Sequence, residues 1–88
     1  MESELRARIE SEIEALQTAR DELKVRIHLG AAEVRDVWES AEKSWGHLEG
    51  RVKVLAEATQ ESLEDVGAAI DVLAEEIRRG YQHVRKLL

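Results

Sequence analysis

Cysteine, proline, phenylalanine and asparagine are all absent from this sequence of 88 residues. The absence of cysteine excludes a disulfide framework and thiolate chemistry. Without proline and asparagine, the chain lacks two of the residues that most often break helices and form turns. Aromatic residues make up only 3% of the chain, too little for a stacking platform or a broad ligand cage. What remains is rich in Ala, Glu, Leu, Arg and Val, a composition typical of long helices and coiled coils.

Long apolar runs are missing as well. No window approaches the roughly 18 consecutive apolar residues of a membrane span. The acidic start Met1-Glu2-Ser3-Glu4 does not resemble a secretory signal. The formal net charge of −6 disfavours binding to nucleic acid. The sequence therefore predicts a soluble, cytoplasmic protein that has no nucleic-acid partner, with a membrane surface disfavoured as a partner.

Apolar residues instead recur at alternating steps of four and three, the spacing that returns to one side of an α-helix at every turn. The pattern is clearest between residues 34 and 55 and continues in both directions along the chain. We call this central part the apolar stripe: Val34, Trp38, Ala41, Trp45, Leu48, Val52 and Leu55. Nearly the whole chain is therefore predicted to be helical.

The predicted fold is all-α, with the positions of the breaks left open. Gly46 and Gly50 mark the weakest point, because each glycine costs roughly 1 kcal/mol relative to alanine in a helix. Usual helix lengths favour a hairpin with helix 3–45, turn 46–50 and helix 51–87, and such hairpins would pair into a four-helix bundle. The apolar stripe crosses the two glycines without changing phase, which favours a single long helix in an antiparallel coiled coil.

A three-helix bundle is the remaining alternative, with turns near Gly30 and near Thr59–Ser62. Ser62 followed by Asp65 is then the N-cap signal of the third helix. The hairpin and the single helix both leave part of an apolar face exposed, so both predict self-association. The three-helix bundle does not require it.

The distribution of charge favours an antiparallel arrangement. Folding the chain about residue 48 would set the bases Arg78, Arg79, Arg85 and Lys86 beside the acids Glu10, Glu12 and Glu14. It would also set Arg20, Lys24 and Arg26 beside Asp71, Glu75 and Glu76. Parallel pairing in register would place like charges together.

The sequence lacks the residue patterns that usually carry chemistry. His28, His47 and His83 are far apart, and none has an acid or a second histidine three or four residues before it. Adjacent acids such as Glu75 and Glu76 point in different directions on a helix and cannot form a general acid–base pair. The sequence also has no glycine-rich phosphate loop and no nucleophile elbow. We therefore predict a protein that is not an enzyme, with no catalytic residues, cofactor or metal.

The apolar stripe and its continuation are predicted to form an interface. Trp38 and Trp45, one heptad apart, would be its anchors and the candidates for hot spots. The residues predicted to contact a second copy are Val34, Trp38, Ala41, Trp45, Leu48, Val52, Leu55, Val66, Ile70, Leu73, Ile77 and Tyr81.

This pattern predicts a non-enzymatic, self-associating helical interaction or scaffold protein. Its partner would be a second, antiparallel copy, with a dimer as the expected form, or another helical protein. The alternative is reversible binding to lipid surfaces by amphipathic helices like those of apolipoproteins.

Four segments carry a resemblance to a known group: Asp36-Val37-Trp38-Glu39, Trp45-Gly46-His47-Leu48, Glu64-Asp65-Val66-Gly67 and Gly80-Tyr81-Gln82-His83-Val84-Arg85-Lys86-Leu87-Leu88. Together they resemble small, uncharacterised bacterial coiled-coil proteins, some of which are labelled as stress-response associated. The resemblance implies a bacterial, cytoplasmic, helical protein of undefined role, which would be related to stress if it follows the labelled members. It implies no catalytic residue.

Overall fold

The structure, a computed structural model, describes residues 2–59 and 61–88, with side chains from Glu4 onward. These residues form three α-helices: α1 (Glu2–Arg26), α2 (Ala32–Glu57) and α3 (Leu63–Leu87). A short 3-10 turn, Ile27–Leu29, follows α1. The predicted all-α fold is confirmed.

Helix α2 runs without interruption through residues 46–50, where the hairpin alternative places a turn. The predicted division into helix 3–45, turn 46–50 and helix 51–87 is therefore wrong. The single long helix is also wrong, because the chain leaves the helical conformation near Gly30 and again after Glu57.

Residues beside the two glycines explain why α2 does not break there. Trp45 and Leu48 are only 5% and 1% exposed and hold this segment against the core. Burying two large apolar side chains contributes about 3–6 kcal/mol. That is more than the roughly 2 kcal/mol that two glycines cost in a helix.

The first break lies between α1 and α2 and depends on Gly30. Its backbone is extended, with φ −90° and ψ 160°, and its N–H donates to the carbonyl oxygen of Ile27 at 3.1 Å. A Cβ at this position would lie 2.8 Å from the Cβ of Val34. The turn therefore packs too closely against the first turn of α2 to accept a side chain.

The second break is held by the hydroxyl groups of Thr59 and Ser62. The N–H of Thr59 donates to Oγ of Ser62 at 3.1 Å, and the two hydroxyl oxygens are 3.2 Å apart. The N–H of Leu63 donates to the carbonyl oxygen of Thr59 at 3.0 Å and so begins α3. Ser62 is the N-cap residue of α3, as predicted, but its hydroxyl bonds back to Thr59 and makes no capping bond to α3.

The three helices alternate in direction, so α1 and α3 are parallel and α2 runs opposite to both. Trp38 of α2 stacks on Tyr81 of α3, with ring centroids 5.8 Å apart. Ala41 lies one turn further along α2, and its Cβ is 3.3 Å from where a Cβ would be built on Gly80. The missing side chain at Gly80 thus lets the two helices approach closely.

The buried core draws on all three helices. It comprises Ile9, Leu16 and Leu23 of α1, Val34, Trp38, Ala41, Trp45, Leu48 and Leu55 of α2, and Leu63, Ile70, Ala74, Ile77, Tyr81 and Val84 of α3. The Cα atoms span 45 × 17 × 16 Å, so the molecule is a short rod.

Ion pairs between helices agree only in part with the charge prediction. Arg78 pairs with Glu12 at 2.6 Å, as predicted, but it does so across the parallel helices α1 and α3. Arg20 was predicted to lie beside acids of α3, and it pairs instead with Glu42 of α2 at 2.7 Å. The difference arises because the first reversal lies near Gly30 rather than at residue 48, so α2 and not α3 is the antiparallel neighbour of this end of α1.

Candidate interaction surface

All the residues predicted to contact a second copy lie in or beside the core of one chain. Those that are buried are Val34, Trp38, Ala41, Trp45, Leu48, Leu55, Ile70, Ile77 and Tyr81. Those that are partly buried against the core are Val52, Val66 and Leu73. The apolar stripe is thus covered by α1 and α3 of the same chain, and a second copy is not needed to cover it. Contact of these residues with a second copy stays a prediction.

The two tryptophans anchor opposite contacts of α2 within the core. Trp38 stacks on Tyr81 of α3, and Trp45 lies beneath the guanidinium of Arg20 of α1, 5.4 Å from the ring centroid. Their exposed fractions, 7% and 5%, leave little surface for a partner. In this structure they contribute to the fold rather than to an external surface.

Arg20 and Glu42 form a two-pronged ion pair beside this aromatic cluster. Nε and Nη2 of Arg20 donate to the two carboxylate oxygens of Glu42 at 2.7 and 2.8 Å. The hydrogen bond raises the pKa of Arg20 and lowers the pKa of Glu42, so both groups are charged at neutral pH. The fork geometry fixes α1 and α2 in register more specifically than a single contact would.

Tyr81 carries a buried polar atom without a partner. Its side chain is 2% exposed, and among the described residues nothing hydrogen-bonds its hydroxyl. Burial raises the pKa of Tyr81 to about 12; the charge of Glu42 adds to the shift and that of Arg20 opposes it. An unsatisfied hydroxyl of this kind costs about 1–3 kcal/mol.

We expect the folded protein to lose stability between about pH 10 and pH 12. The pKa of Tyr81 is raised on folding, so its contribution to stability is complete below the ordinary tyrosine pKa. Above that pH the unfolded chain ionises first, and the unfolding free energy falls by about 2–3 kcal/mol as pH approaches the folded-state pKa. Tyr81 is the single tyrosine in the chain, so tyrosinate absorbance measures its titration directly.

Tyr81→Phe is the control for this titration. The variant should lack the tyrosine-dependent loss of stability at high pH, and at neutral pH it should be as stable as the parent or more so, because it removes the unsatisfied hydroxyl. A folded-state pKa near 10 would mean that the hydroxyl reaches solvent, contrary to the packing described.

A groove between α2 and α3 exposes apolar side chains to solvent. It encloses about 710 Å³ and is lined mainly by Gly46, Gly50 and Val54 of α2 and Ala69, Val72 and Leu73 of α3. Val54 and Val72 are 46% and 60% exposed. We call this feature the α2/α3 groove.

Gly46 and Gly50 give the groove its depth. A Cβ built on either residue would meet nothing within 4 Å among the described atoms. Neither glycine has a positive φ, so the backbone does not require glycine there. Both positions could therefore hold alanine in the isolated chain, and the sequence keeps them at a cost in helix stability.

The histidines show no common site. His28, His47 and His83 are all exposed, and the described residues contain no group of three or more side chains arranged to hold a metal ion. His47 lines the α2/α3 groove together with Arg51, so this edge of the groove is polar and carries the positive charge of Arg51.

The sequence analysis missed the α2/α3 groove because the favoured hairpin placed a turn at Gly46 and Gly50, and the alternatives assigned these glycines no surface role. A usable signal was present in the residues of α2 that lie opposite the apolar stripe: Lys43, Gly46, Gly50, Val54 and Glu57. These also recur at steps of three and four, so they share one face of the helix.

Comparison with known proteins gives no match. No protein-family model matches the chain, and neither curated proteins nor solved structures match it significantly. In the described part of the chain, none of the helices combines the length and the apolar character needed to cross a membrane.

Proposed function

We propose that this protein is a non-enzymatic helical interaction module that self-associates through the outer face of α2, the face that lies opposite the apolar stripe and carries Lys43, Gly46, Gly50, Val54 and Glu57. The α2/α3 groove is the observation that carries the proposal. Other helical proteins are candidate secondary partners, whereas nucleic acid is disfavoured by the net charge of −6. We place its activity in the cytoplasm, in a scaffolding role related to stress.

The proposal is supported by the difference between the two faces of α2, of which one is buried in the core and the other is exposed. The inner face, which carries the apolar stripe, packs against α1 and α3 and contributes all the buried residues of the helix. The outer face carries exposed Val54 beside two glycines that the isolated chain does not need. Residues that weaken a helix without serving its own fold are expected where a partner approaches closely.

Lipid binding is the second candidate function, and exposed apolar residues near the first break favour it. Leu29 and Val25 are 89% and 74% exposed. Helices of the apolipoprotein kind bind by turning an apolar face to the lipid surface. Here the helices are formed before any lipid is present, so binding would require the core to open.

Vesicle titration separates the two candidates. Self-association predicts that neutral or anionic vesicles leave the circular dichroism and the tryptophan emission unchanged. A shift in tryptophan emission that saturates with lipid would instead indicate that the core opens onto the bilayer, and would favour the lipid candidate.

Light scattering over a range of concentrations tests the proposed function directly. We expect the mass to rise from 10.0 kDa in dilute solution towards that of two chains. The dissociation constant should lie between about 1 μM and 1 mM, as is usual for interfaces at the small end of the size range. A mass of one chain at every concentration up to the millimolar range would contradict self-association.

A further inference from the structure

The outer face of α2 has a symmetric pattern. Five residues on this face follow one another at steps of three, four, four and three: Lys43, Gly46, Gly50, Val54 and Glu57. Their spacing is therefore the same in both directions from Gly50. All five residues are exposed. A two-fold axis through Gly50 would therefore bring Lys43 of one copy to Glu57 of the other, and Gly46 of one copy to Val54 of the other.

We propose that two copies pair antiparallel through α2 about this axis. This inference rests on the proposed function and adds the partner, the register and the contacts. Val54 of each copy fills the hollow at Gly46 of the other, and the two Gly50 residues meet at the crossing point. Lys43 of each copy forms an ion pair with Glu57 of the other.

Charge complementarity selects a second copy as the occupant of this surface and fixes its direction. Among the described residues, neither Lys43 nor Glu57 forms an ion pair within the chain. Antiparallel pairing about Gly50 places each of these residues opposite a residue of opposite charge in the other copy. Parallel pairing in register would set lysine on lysine and glutamate on glutamate, which is unfavourable.

Glu57 is independently unfavourable in the isolated chain. It is the last residue of α2, and the final turn of this helix has no basic residue. A negative charge at this end opposes the helix dipole. Lys43 of the second copy would offset that repulsion. In the same way, Val54 of the second copy would occupy the space left by the glycines.

The dimensions of the molecule also favour pairing along its side. Even a specific interface at the small end of the size range buries about 500 Å² on each partner. The side of the rod measures 45 by 17 Å between Cα atoms, whereas its end measures 17 by 16 Å and is too small. Exposed Val72 of α3 lies in the same groove and adds apolar area beside the α2 contact.

The test uses two single-cysteine variants, Lys43→Cys and Glu57→Cys, in a chain that has no other cysteine. Each variant is treated alone, and an equimolar mixture is treated in parallel, with a thiol-specific crosslinker spanning about 10 Å, the distance between packed helix axes. In the proposed dimer, the two copies of residue 43 are fourteen residues apart along the helix axis, or about 21 Å. The same holds for residue 57, so only the mixture can crosslink.

We expect the mixture to give covalent dimers at a yield roughly an order of magnitude above either variant alone, because pairing raises the local thiol concentration. The single variants serve as matched controls for random collision at the same thiol concentration. Each mixed dimer also keeps one of the two ion pairs, from Glu57 of one chain to Lys43 of the other, so pairing should persist.

The other outcomes separate this inference from the proposed function. Crosslinking of each single variant with itself would show parallel pairing and overturn the inference. No enrichment in the mixture, with a two-chain mass by light scattering, would overturn the geometry and leave self-association standing. A one-chain mass at every concentration would overturn both.

Discussion

Leu23→Ala is expected to lower the unfolding free energy by about 2–5 kcal/mol, the range for truncating a buried leucine. Leu23 is 0% exposed and lies in the core formed by all three helices. The loss should be large because truncation removes apolar contacts and leaves a cavity that the neighbouring helices cannot close. Urea denaturation at a concentration where the protein is a monomer measures the effect.

Val25→Ala is the matched control, two residues away on the same helix. Val25 is 74% exposed, so its truncation should change stability by no more than about 0.5 kcal/mol. Equal losses for the two variants would mean that α1 is not packed as described. A small loss at Leu23 would mean that α1 contributes little to the core.

Replacing both Gly46 and Gly50 by alanine is expected to raise the unfolding free energy of the monomer by about 2 kcal/mol. The gain follows from helix propensity, since an added Cβ at either position meets nothing within 4 Å. The same two methyl groups would fill the hollow that the second copy is proposed to use. The variant should therefore be more stable as a monomer and weaker in self-association.

Gly30→Ala is the control with the opposite sign. Its Cβ would lie 2.8 Å from the Cβ of Val34, so the first turn of α2 must shift, at a cost of about 1–3 kcal/mol. A double variant at Gly46 and Gly50 that gained no stability would contradict the helical conformation of residues 46–50. A gain in stability with unchanged association would contradict the proposed role of the glycines.

The sequence was sufficient to predict the helices but not all of their ends. The alternation of apolar residues from Val34 to Leu55 lies within a single helix, and its unbroken phase across Gly46 and Gly50 correctly indicated continuity. The preference for the hairpin gave more weight to the low helix propensity of glycine than to the unbroken phase of the apolar residues. The burial of Trp45 and Leu48 outweighs the cost of the two glycines in a helix. The strength of this packing cannot be deduced from the composition of the chain.

The real breaks were harder to weigh from the sequence. The turn at Gly30 accepts no side chain because a Cβ there would lie too close to Val34, and the second turn depends on hydrogen bonds between Thr59 and Ser62. The three-helix alternative placed turns at both positions, on weaker signals than the glycine pair offered. Local propensity alone could not rank these three positions, because each depends on how the flanking helices pack.

Contacts between distant segments were outside the reach of sequence patterns. The pairing of Arg20 with Glu42 and the burial of the Tyr81 hydroxyl both depend on which helix lies beside which. A stripe of apolar residues indicates that another surface packs against it. It does not distinguish α1 and α3 of the same chain from a second copy.

Quenching of tryptophan fluorescence by acrylamide, at a concentration where light scattering gives 10.0 kDa, tests most directly whether one chain covers its own apolar stripe. The two tryptophans, Trp38 and Trp45, both lie on that stripe. We expect blue-shifted emission and quenching several-fold slower than for an exposed indole, unchanged when the protein is concentrated into dimers. Tryptophans that are readily quenched in the monomer and become protected only on association would contradict the three-helix core.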